Sequence, residues 1–169
     1  AVVLPAEFAG RVAMAGGKSL PTQVEADGTT VALVSIPAHG SLTLTPGSEP
    51  AAACIAGDGR TLDNGLVRYV FDAQGCLLEA LDRAVGRNLL RAPGNVLSLY
   101  HDRPNYWDAW DVDRFYRDAK IADAVCSVED LGGGPVRRRL RLRTRIGDSD
   151  LTQTVVLTAC SRRLDFETH

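Results

Sequence analysis

The sequence predicts an all-β protein built as an antiparallel sandwich. Most segments that show a pattern alternate apolar and polar residues or run in β-branched and aliphatic residues, and short turn sequences separate them. Little of the chain has helical periodicity. The 169 residues, 45% of them hydrophobic and 24% charged, suffice to bury a sizeable core. Long strands, short turns and little helix together favour a sandwich.

The N-terminal part predicts a small β-domain followed by a linker. Residues 29–38 and 41–46 have strand-like sequences, separated by a His-Gly turn. Residues 47–60 lose that pattern and are rich in Gly, Ala and Pro. We therefore predict a small β-domain at residues 1–47, a linker at 48–60 and a larger sandwich domain at 61–169.

The larger domain opens with a hairpin and ends with three strands. "GLVRYVFD" and "CLLEALD" are joined by "AQG", which predicts a hairpin. "VRRRLRLRTRI" follows the turn "DLGGGP" and predicts a strand with one apolar face. "LTQTVVLTA" and "RRLDFETH" predict two more strands. Because the chain stops within the last one, we expect the sandwich to be truncated here.

Alternating arginines occupy the second face of the "VRRRLRLRTRI" strand. They are Arg137, Arg139, Arg141, Arg143 and Arg145, and Arg138 is the one exception to the alternation. A basic stripe could bind a polyanion, whereas a solvated face would find acidic partners such as Glu129, Asp130, Asp165 and Glu167. The net charge of −2 favours the second interpretation. This charge gives no reason to expect nucleic acid or an anionic membrane as partner. No apolar run approaches the roughly 20 residues that a membrane-spanning helix needs.

Four cysteines lack the spacing of a metal site. Cys54, Cys76, Cys126 and Cys160 form no CxxC pair and have no neighbouring histidine. We therefore expect free thiols, no zinc in this chain and a reducing, cytoplasmic compartment. His39, His101 and His169 are isolated, and we interpret them as loop residues.

The segment "HDRPNYWDAWDVDRFYRD", residues 101–118, is the strongest candidate site. It holds five of the ten aromatic residues, both tryptophans among them, interleaved with five aspartates. A sugar ring can stack its apolar face on an aromatic ring while its hydroxyls donate to carboxylates. The same mixture suits a loop that packs on another domain and caps its own turns. The spacing of Trp107 and Trp110 allows a helical turn, but Pro104 favours an irregular loop.

Four separated motifs in this chain resemble the C-terminal β-domain of the family 38 glycoside hydrolases, which are α-mannosidases. The residues are "LDNGLVRYVFDAQGCLLEALDRAVGRNLL", "GNVLSLYHDRPNYWDAWDVD" and "GPVRRRLRLRTRIGDSDLTQTVVLTACSRRLDFETH", and "VSIPAHGSLTL" resembles the small β-domain before it. The "YWDAWDV" box is most similar to the bacterial and cytosolic branch. The resemblance implies a galactose mutarotase-like supersandwich, of which this chain would hold only the first part.

The resemblance also implies that catalysis takes place elsewhere. In this family an N-terminal catalytic domain carries the divalent metal, usually zinc, the aspartate nucleophile and the acid–base aspartate. Retaining hydrolysis of α-mannosides would use two carboxyl groups about 5–5.5 Å apart in that domain. We therefore expect no catalytic residue, no metal ligand and no activity in this chain alone. Its expected partners are the catalytic domain and the α-mannoside substrate.

The candidate loop would then complete the rim of the sugar site or pack between the domains. Its proposed residues are Asp102, Tyr106, Trp107, Asp108, Trp110 and Asp111. A calcium loop using Asp108, Asp111 and Asp113 is a further interpretation, although the Gly and Glu of an EF-hand loop are missing. A stand-alone carbohydrate-binding sandwich would share the aromatic residues. A purely structural interaction domain predicts an exposed apolar patch instead.

Overall fold

The computed structural model describes residues 1–53, 58–107, 110 and 112–169, and it confirms the all-β prediction. Within these residues the chain forms seventeen strands and two short 3₁₀ helices, none long or apolar enough to cross a membrane. The strands are β1 Val2–Val3, β2 Arg11–Ala15, β3 Lys18–Ser19, β4 Thr22–Val24, β5 Thr30–Ala32, β6 Thr45–Pro50, β7 Ala52–Ala53, β8 Thr61–Asp63, β9 Val67–Phe71, β10 Leu77–Asp82, β11 Arg87–Asn88, β12 Ser98–Tyr100, β13 Lys120–Asp123, β14 Val125–Gly133, β15 Arg137–Ile146, β16 Ser149–Thr158 and β17 Leu164–Thr168. The 3₁₀ helices are Ala6–Phe8 and Arg114–Asp118.

Two four-stranded antiparallel sheets form the sandwich. The hairpin sheet has the order β11-β10-β9-β8, and the arginine sheet has the order β14-β15-β16-β17. Their facing side chains make one buried cluster: Leu62, Val67, Tyr69, Phe71, Leu77 and Ala80 from the hairpin sheet with Leu140, Leu142, Val155 and Leu157 from the arginine sheet. The sandwich therefore owes its stability to apolar burial between the sheets.

The predicted hairpin of β9 and β10 is confirmed. Tyr69 pairs with Ala80 in antiparallel register. The turn between the strands is held by Asp72, whose carboxylate accepts hydrogen bonds from the N–H groups of Gln74 and Cys76 at 2.9 and 2.8 Å. This local bonding explains why a short polar sequence is enough to reverse the chain.

Strand β15 has an apolar face and an ion-paired face. The acidic partners of the second interpretation are present, but only part of the face is solvated, since Arg137 and Arg139 are mostly buried. Leu140 and Leu142 are fully buried on the apolar face. The arginines have these carboxylate partners: Glu25 for Arg137 and Arg139, Asp130 for Arg138, Glu129 for Arg141 and Arg143, and Asp150 for Arg145. Glu129 and Asp130 are thus confirmed as partners. Asp165 pairs with Arg163 instead, and Glu167 forms no ion pair with the described residues.

The N-terminal part folds into two small sheets, of order β1-β5-β4-β7 and β3-β2-β6. The predicted strand at residues 41–46 is wrong over most of its length, because β6 begins only at Thr45 and runs through Pro50. Gly47 permits this pairing with β2: a Cβ there would lie 2.6 Å from Val12 Cγ1. The predicted linker at 48–60 therefore includes strand residues through Ala53, and the domain boundaries stay a prediction.

A buried polar junction joins the small sheets to the arginine sheet. The Gln23 side-chain carbonyl accepts the N–H groups of Val136 and Arg137 at 3.1 Å each, and its amide donates to the Arg137 carbonyl at 3.0 Å. The Glu25 carboxylate, only 1% exposed, lies 2.8 Å from Arg137 and 3.0 Å from Arg139. Hydrogen bonding to Glu25 raises the pKa of Arg137, so this guanidinium stays charged inside the junction.

Removing a buried leucine should cost far more than removing an exposed one. We expect Leu140→Ala to lower the free energy of unfolding by about 2–5 kcal/mol, because it leaves a cavity between the sheets. Leu78→Ala, at a side chain 47% exposed, is the matched control and should change it by less than about 1 kcal/mol. Urea unfolding of both variants measures the difference, and equal costs would contradict this core.

The junction should be sensitive to loss of its carboxylate. We expect Glu25→Ala to cost about 3–5 kcal/mol, because it removes the buried carboxylate shared by two mostly buried guanidinium groups and leaves Arg139 only Asp27, at 3.3 Å. Glu129→Ala removes an exposed carboxylate that also pairs with two arginines, and should cost less than about 1 kcal/mol. Chemical unfolding again measures both. Equal costs for Glu25 and Glu129 would mean that the junction does not hold the two parts together.

Candidate functional site

A two-stranded ribbon carries the candidate segment. Strands β12 and β13 pair antiparallel with each other and form their own sheet. Residues 101–119, which we name the aromatic loop, connect them. In the sequence, the two ribbon strands follow the strands of the hairpin sheet and precede those of the arginine sheet. Strand β13 is followed almost directly by β14. The aromatic loop is therefore presented on a separate support, outside the sandwich sheets.

The described residues of the aromatic loop are irregular, apart from one short 3₁₀ helix at Arg114–Asp118. Asp113 precedes that helix, and its carboxylate accepts the N–H of Asn105 at 2.8 Å. The rings of Tyr100 and Tyr116 pack edge to face with centroids 5.3 Å apart. The irregular form predicted from Pro104 is thus confirmed, and these contacts give the described part of the loop a defined shape.

The predicted aromatic residues are exposed. Tyr106, Trp107 and Trp110 are 78%, 75% and 89% exposed, and Phe115 is 52% exposed. Asp102 is also exposed beside them. Asp108 and Asp111 lie outside the described residues. The loop therefore presents several large apolar rings to the surroundings, which is the apolar patch that an interaction surface requires.

Trp107 holds a backbone conformation that its side chain does not favour. Its φ angle is +61°, in the left-handed region where a residue with a Cβ is strained by about 1–2 kcal/mol. Its carbonyl accepts the N–H of Trp110 at 2.8 Å, and this hydrogen bond links the two tryptophans. Glycine would suit this position better. Backbone strain of this kind clusters at functional sites, which makes Trp107 a candidate functional residue.

Cationic side chains lie against the remaining rings of the loop. The Arg114 guanidinium is 5.6 Å from the Phe115 ring centroid, and that of Arg117 is 5.9 Å from the Tyr116 ring. A cavity of about 280 Å³ between His101, Arg103 and these two rings opens at this side. Rings beside donors of this kind can bind a sugar or an acidic partner side chain.

An ion pair and a hydrogen bond hold the base of the ribbon. Lys120 and Asp123 form an ion pair, and Ser98 donates to Asp123 from the paired strand at 3.2 Å. The bond to Lys120 lowers the pKa of Asp123 and raises the pKa of Lys120. Both groups therefore remain charged at neutral pH. The Ser98–Asp123 hydrogen bond ties β13, the strand that leads back to the sandwich, to β12.

The described residues offer no metal site. Over residues 1–53, 58–107, 110 and 112–169, no group of three or more His, Cys, Asp or Glu side chains could hold an ion. Asp113, one of three aspartates in the calcium interpretation, binds a backbone N–H instead, and the other two lie outside these residues. Zinc and calcium therefore find no fitting donor set in the described part of the chain.

Sequence reasoning identified the loop but missed its supports. It selected Tyr106, Trp107 and Trp110, which the structure places on one short stretch. The Tyr100–Tyr116 pair and the 3₁₀ helix were not predicted, because their signals are single residues without periodicity. The pairing of "SLY" with "KIAD" across nineteen intervening residues was also missed. The only sequence signal for this pairing is that strand-like residues, "KIAD", resume after the loop.

Comparison with known proteins places most of the chain in one family. The model of the glycosyl hydrolases family 38 C-terminal domain matches residues 62–169. "Alpha-mannosidase 2C1" of Mus musculus is 36% identical over 102 residues, and its Homo sapiens counterpart is 33% identical. Each match covers 54% of this chain and 10% of the relative. "Alpha-mannosidase G" of Dictyostelium discoideum is 25% identical over 118 residues, 64% of this chain and 11% of the relative.

The strain at Trp107 predicts an unusual preference for glycine. We expect Trp107→Gly to be more stable than Trp107→Ala by about 1 kcal/mol, because glycine accepts a positive φ without steric cost. At the exposed strand residue Leu78 we expect the reverse order of stability, with Leu78→Ala more stable than Leu78→Gly. Unfolding measurements on the four variants test this. The same order at both positions would show that Trp107 is not strained.

Proposed function

This chain belongs to the glycosyl hydrolases family 38 C-terminal domain family, and we propose that it is a non-catalytic part of a retaining, metal-dependent α-mannosidase. The relatives that it matches are α-mannosidases about ten times as long as the matched segment. In this proposal the chain packs on a catalytic domain of the same polypeptide and completes the rim of the sugar site. The observation that carries it is the ordered loop of exposed aromatic rings, with Trp107 strained.

The reacting groups would come from the catalytic domain. Retaining hydrolysis needs a nucleophilic carboxylate and an acid–base carboxyl group about 5–5.5 Å apart. We assign both, together with the zinc ion, to that domain, as the resemblance to the family 38 α-mannosidases implies. The chain alone should then have no turnover. We propose a cytoplasmic enzyme of the bacterial and cytosolic branch, acting on α-mannosides.

The aromatic loop would contribute contact area and exclude water. Rings of Tyr106, Trp107 and Trp110 can stack on the apolar face of a sugar or pack on the catalytic domain. Asp102, with Asp108 and Asp111, can accept hydrogen bonds from hydroxyl groups or from arginines of that domain. Closing the rim in this way strengthens the electrostatic interactions of the metal and the carboxylates.

A stand-alone carbohydrate-binding module is the second candidate. The exposure of Trp110, at 89%, favours it, because a binding platform needs open rings. This function predicts that the chain alone binds mannose or mannobiose. The proposed rim predicts instead that binding and turnover need the catalytic domain. Calorimetric titration of the isolated chain with mannobiose separates the two.

Removing the rings should impair the intact enzyme without unfolding it. We expect Trp107→Gly and Trp110→Ala, each made in the full-length polypeptide, to lower kcat/KM for a chromogenic α-mannoside about tenfold or more, since a lost ring contact of about 1.4 kcal/mol gives that factor. Val85→Ala, at a side chain 67% exposed and away from the ribbon, is the matched control and should leave kcat/KM unchanged.

Two results would count against the proposal. Full activity in both tryptophan variants, with bound zinc and stability equal to the parent, would remove the loop from the sugar site. Absence of α-mannosidase activity in the unmodified full-length polypeptide with zinc would overturn the function itself.

A further inference from the structure

Two cysteines lie at the base of the ribbon. Cys76 ends the hairpin turn, directly before β10, and Cys126 lies in β14 of the arginine sheet. Both line a cavity of about 200 Å³, whose wall also includes Leu97, just before β12, and Asp123, the last residue of β13. The cavity thus lies where both strands of the ribbon join the sandwich.

The Cys126 sulfur lies against the hairpin turn that contains Cys76. A Cβ placed on Gly75 would lie 2.7 Å from the Cys126 sulfur, so this sulfur reaches the residue directly before Cys76. A side chain at position 75 would clash with the Cys126 sulfur, so this position requires glycine. The Gly75 carbonyl accepts a hydrogen bond from Asn95 at 2.9 Å, and Asn95 also donates to Gln153 at 3.1 Å. The turn is therefore held in place against the arginine sheet.

We propose that Cys76 and Cys126 are a redox pair that closes to a disulfide and ties the base of the ribbon to the hairpin sheet. The oxidant is a low-molecular-weight disulfide such as glutathione disulfide. The thiolate of one cysteine attacks one sulfur of this small disulfide, which forms a mixed disulfide with the protein and releases one small thiol. The second cysteine then displaces the other thiol. Two protein thiols are oxidised to one disulfide, and one small disulfide is reduced to two thiols.

Fold position distinguishes this pair from the third described cysteine. Cys160 is exposed just after β16 and lines a different groove. Cys76 and Cys126 are both partly buried, and Cys126 packs against the sandwich core. They are 50 residues apart in sequence, and nothing in their spacing indicates a pair. Contact between two sheets brings them together.

Local chemistry makes attack by Cys76 slow at neutral pH. Burial, with the nearby Asp72 and Cys126, raises the pKa of the Cys76 thiol. Cys76 is therefore mostly protonated at neutral pH, and its thiolate fraction grows as the pH rises toward that raised pKa. Closure of the disulfide should accordingly be faster at pH 9 than at pH 7.

Closure should affect the aromatic loop through the ribbon. Cys126 follows β13 by only three residues, so a bond from its sulfur to Cys76 restricts the strand that carries the loop back to the sandwich. An effect on α-mannoside turnover would rest on the proposed function. Formation of the bond does not, and it is tested separately.

The first test is a disulfide map of the full-length polypeptide after incubation with glutathione disulfide at pH 7 and at pH 9. Mass spectrometry of a non-reduced tryptic digest should find a peptide that links Cys76 to Cys126, formed faster at the higher pH. The linked peptide should persist in Cys160→Ser and disappear in Cys76→Ser. The linked protein should also melt at a higher temperature than its dithiothreitol-reduced form.

Separate glutathione adducts on Cys76 and Cys126, or two unmodified thiols, would overturn the redox pair. This map needs no activity and no folded variant, since the unmodified protein alone decides it. In an active enzyme, oxidation should change kcat/KM in the parent but not in Cys76→Ser. A linked peptide in a protein without α-mannosidase activity would support the pair and contradict only the proposed function.

Discussion

Strand β15 must satisfy two opposite environments at once, and the rest of the molecule is arranged around that constraint. One face buries Leu140 and Leu142 against the hairpin sheet. The other presents guanidinium groups that would be costly to bury without partners. The carboxylate of Glu25 meets two of them from a segment more than 110 residues earlier in the chain. A single strand thereby couples the apolar core of the sandwich to the small N-terminal sheets.

The aromatic loop on the ribbon carries the most exposed rings of the described residues. The sandwich buries the large side chains of its core, whereas the loop exposes Tyr106, Trp107, Trp110 and Phe115. The loop is nevertheless ordered where it is described, through the Tyr100–Tyr116 contact. Keeping rings exposed, and one of them in a strained conformation, is unfavourable for the isolated chain. The cost is understandable if the rings meet a catalytic domain or a sugar.

The sequence predicted what alternation controls and missed what tertiary contact controls. The β9–β10 hairpin and the two faces of β15 follow from regular side-chain periodicity, so both were predicted. Strand β6 was missed because pairing with β2 depends on Gly47 having no side chain. Glu25 was missed as an arginine partner because nothing local connects it to Arg137. The positive φ of Trp107 likewise has no signal in the pattern, although the tryptophans themselves marked the site.

The most direct test of the central claim is the solvent exposure of Trp107 and Trp110 in the full-length polypeptide. Hydroxyl-radical footprinting with mass spectrometry measures it at single residues. If the loop completes the rim of the site, both rings should react slowly, despite exposures of 75% and 89% in this chain. Added mannobiose should slow them further if they touch the sugar. Rapid oxidation of both rings, with or without the sugar, would contradict the account.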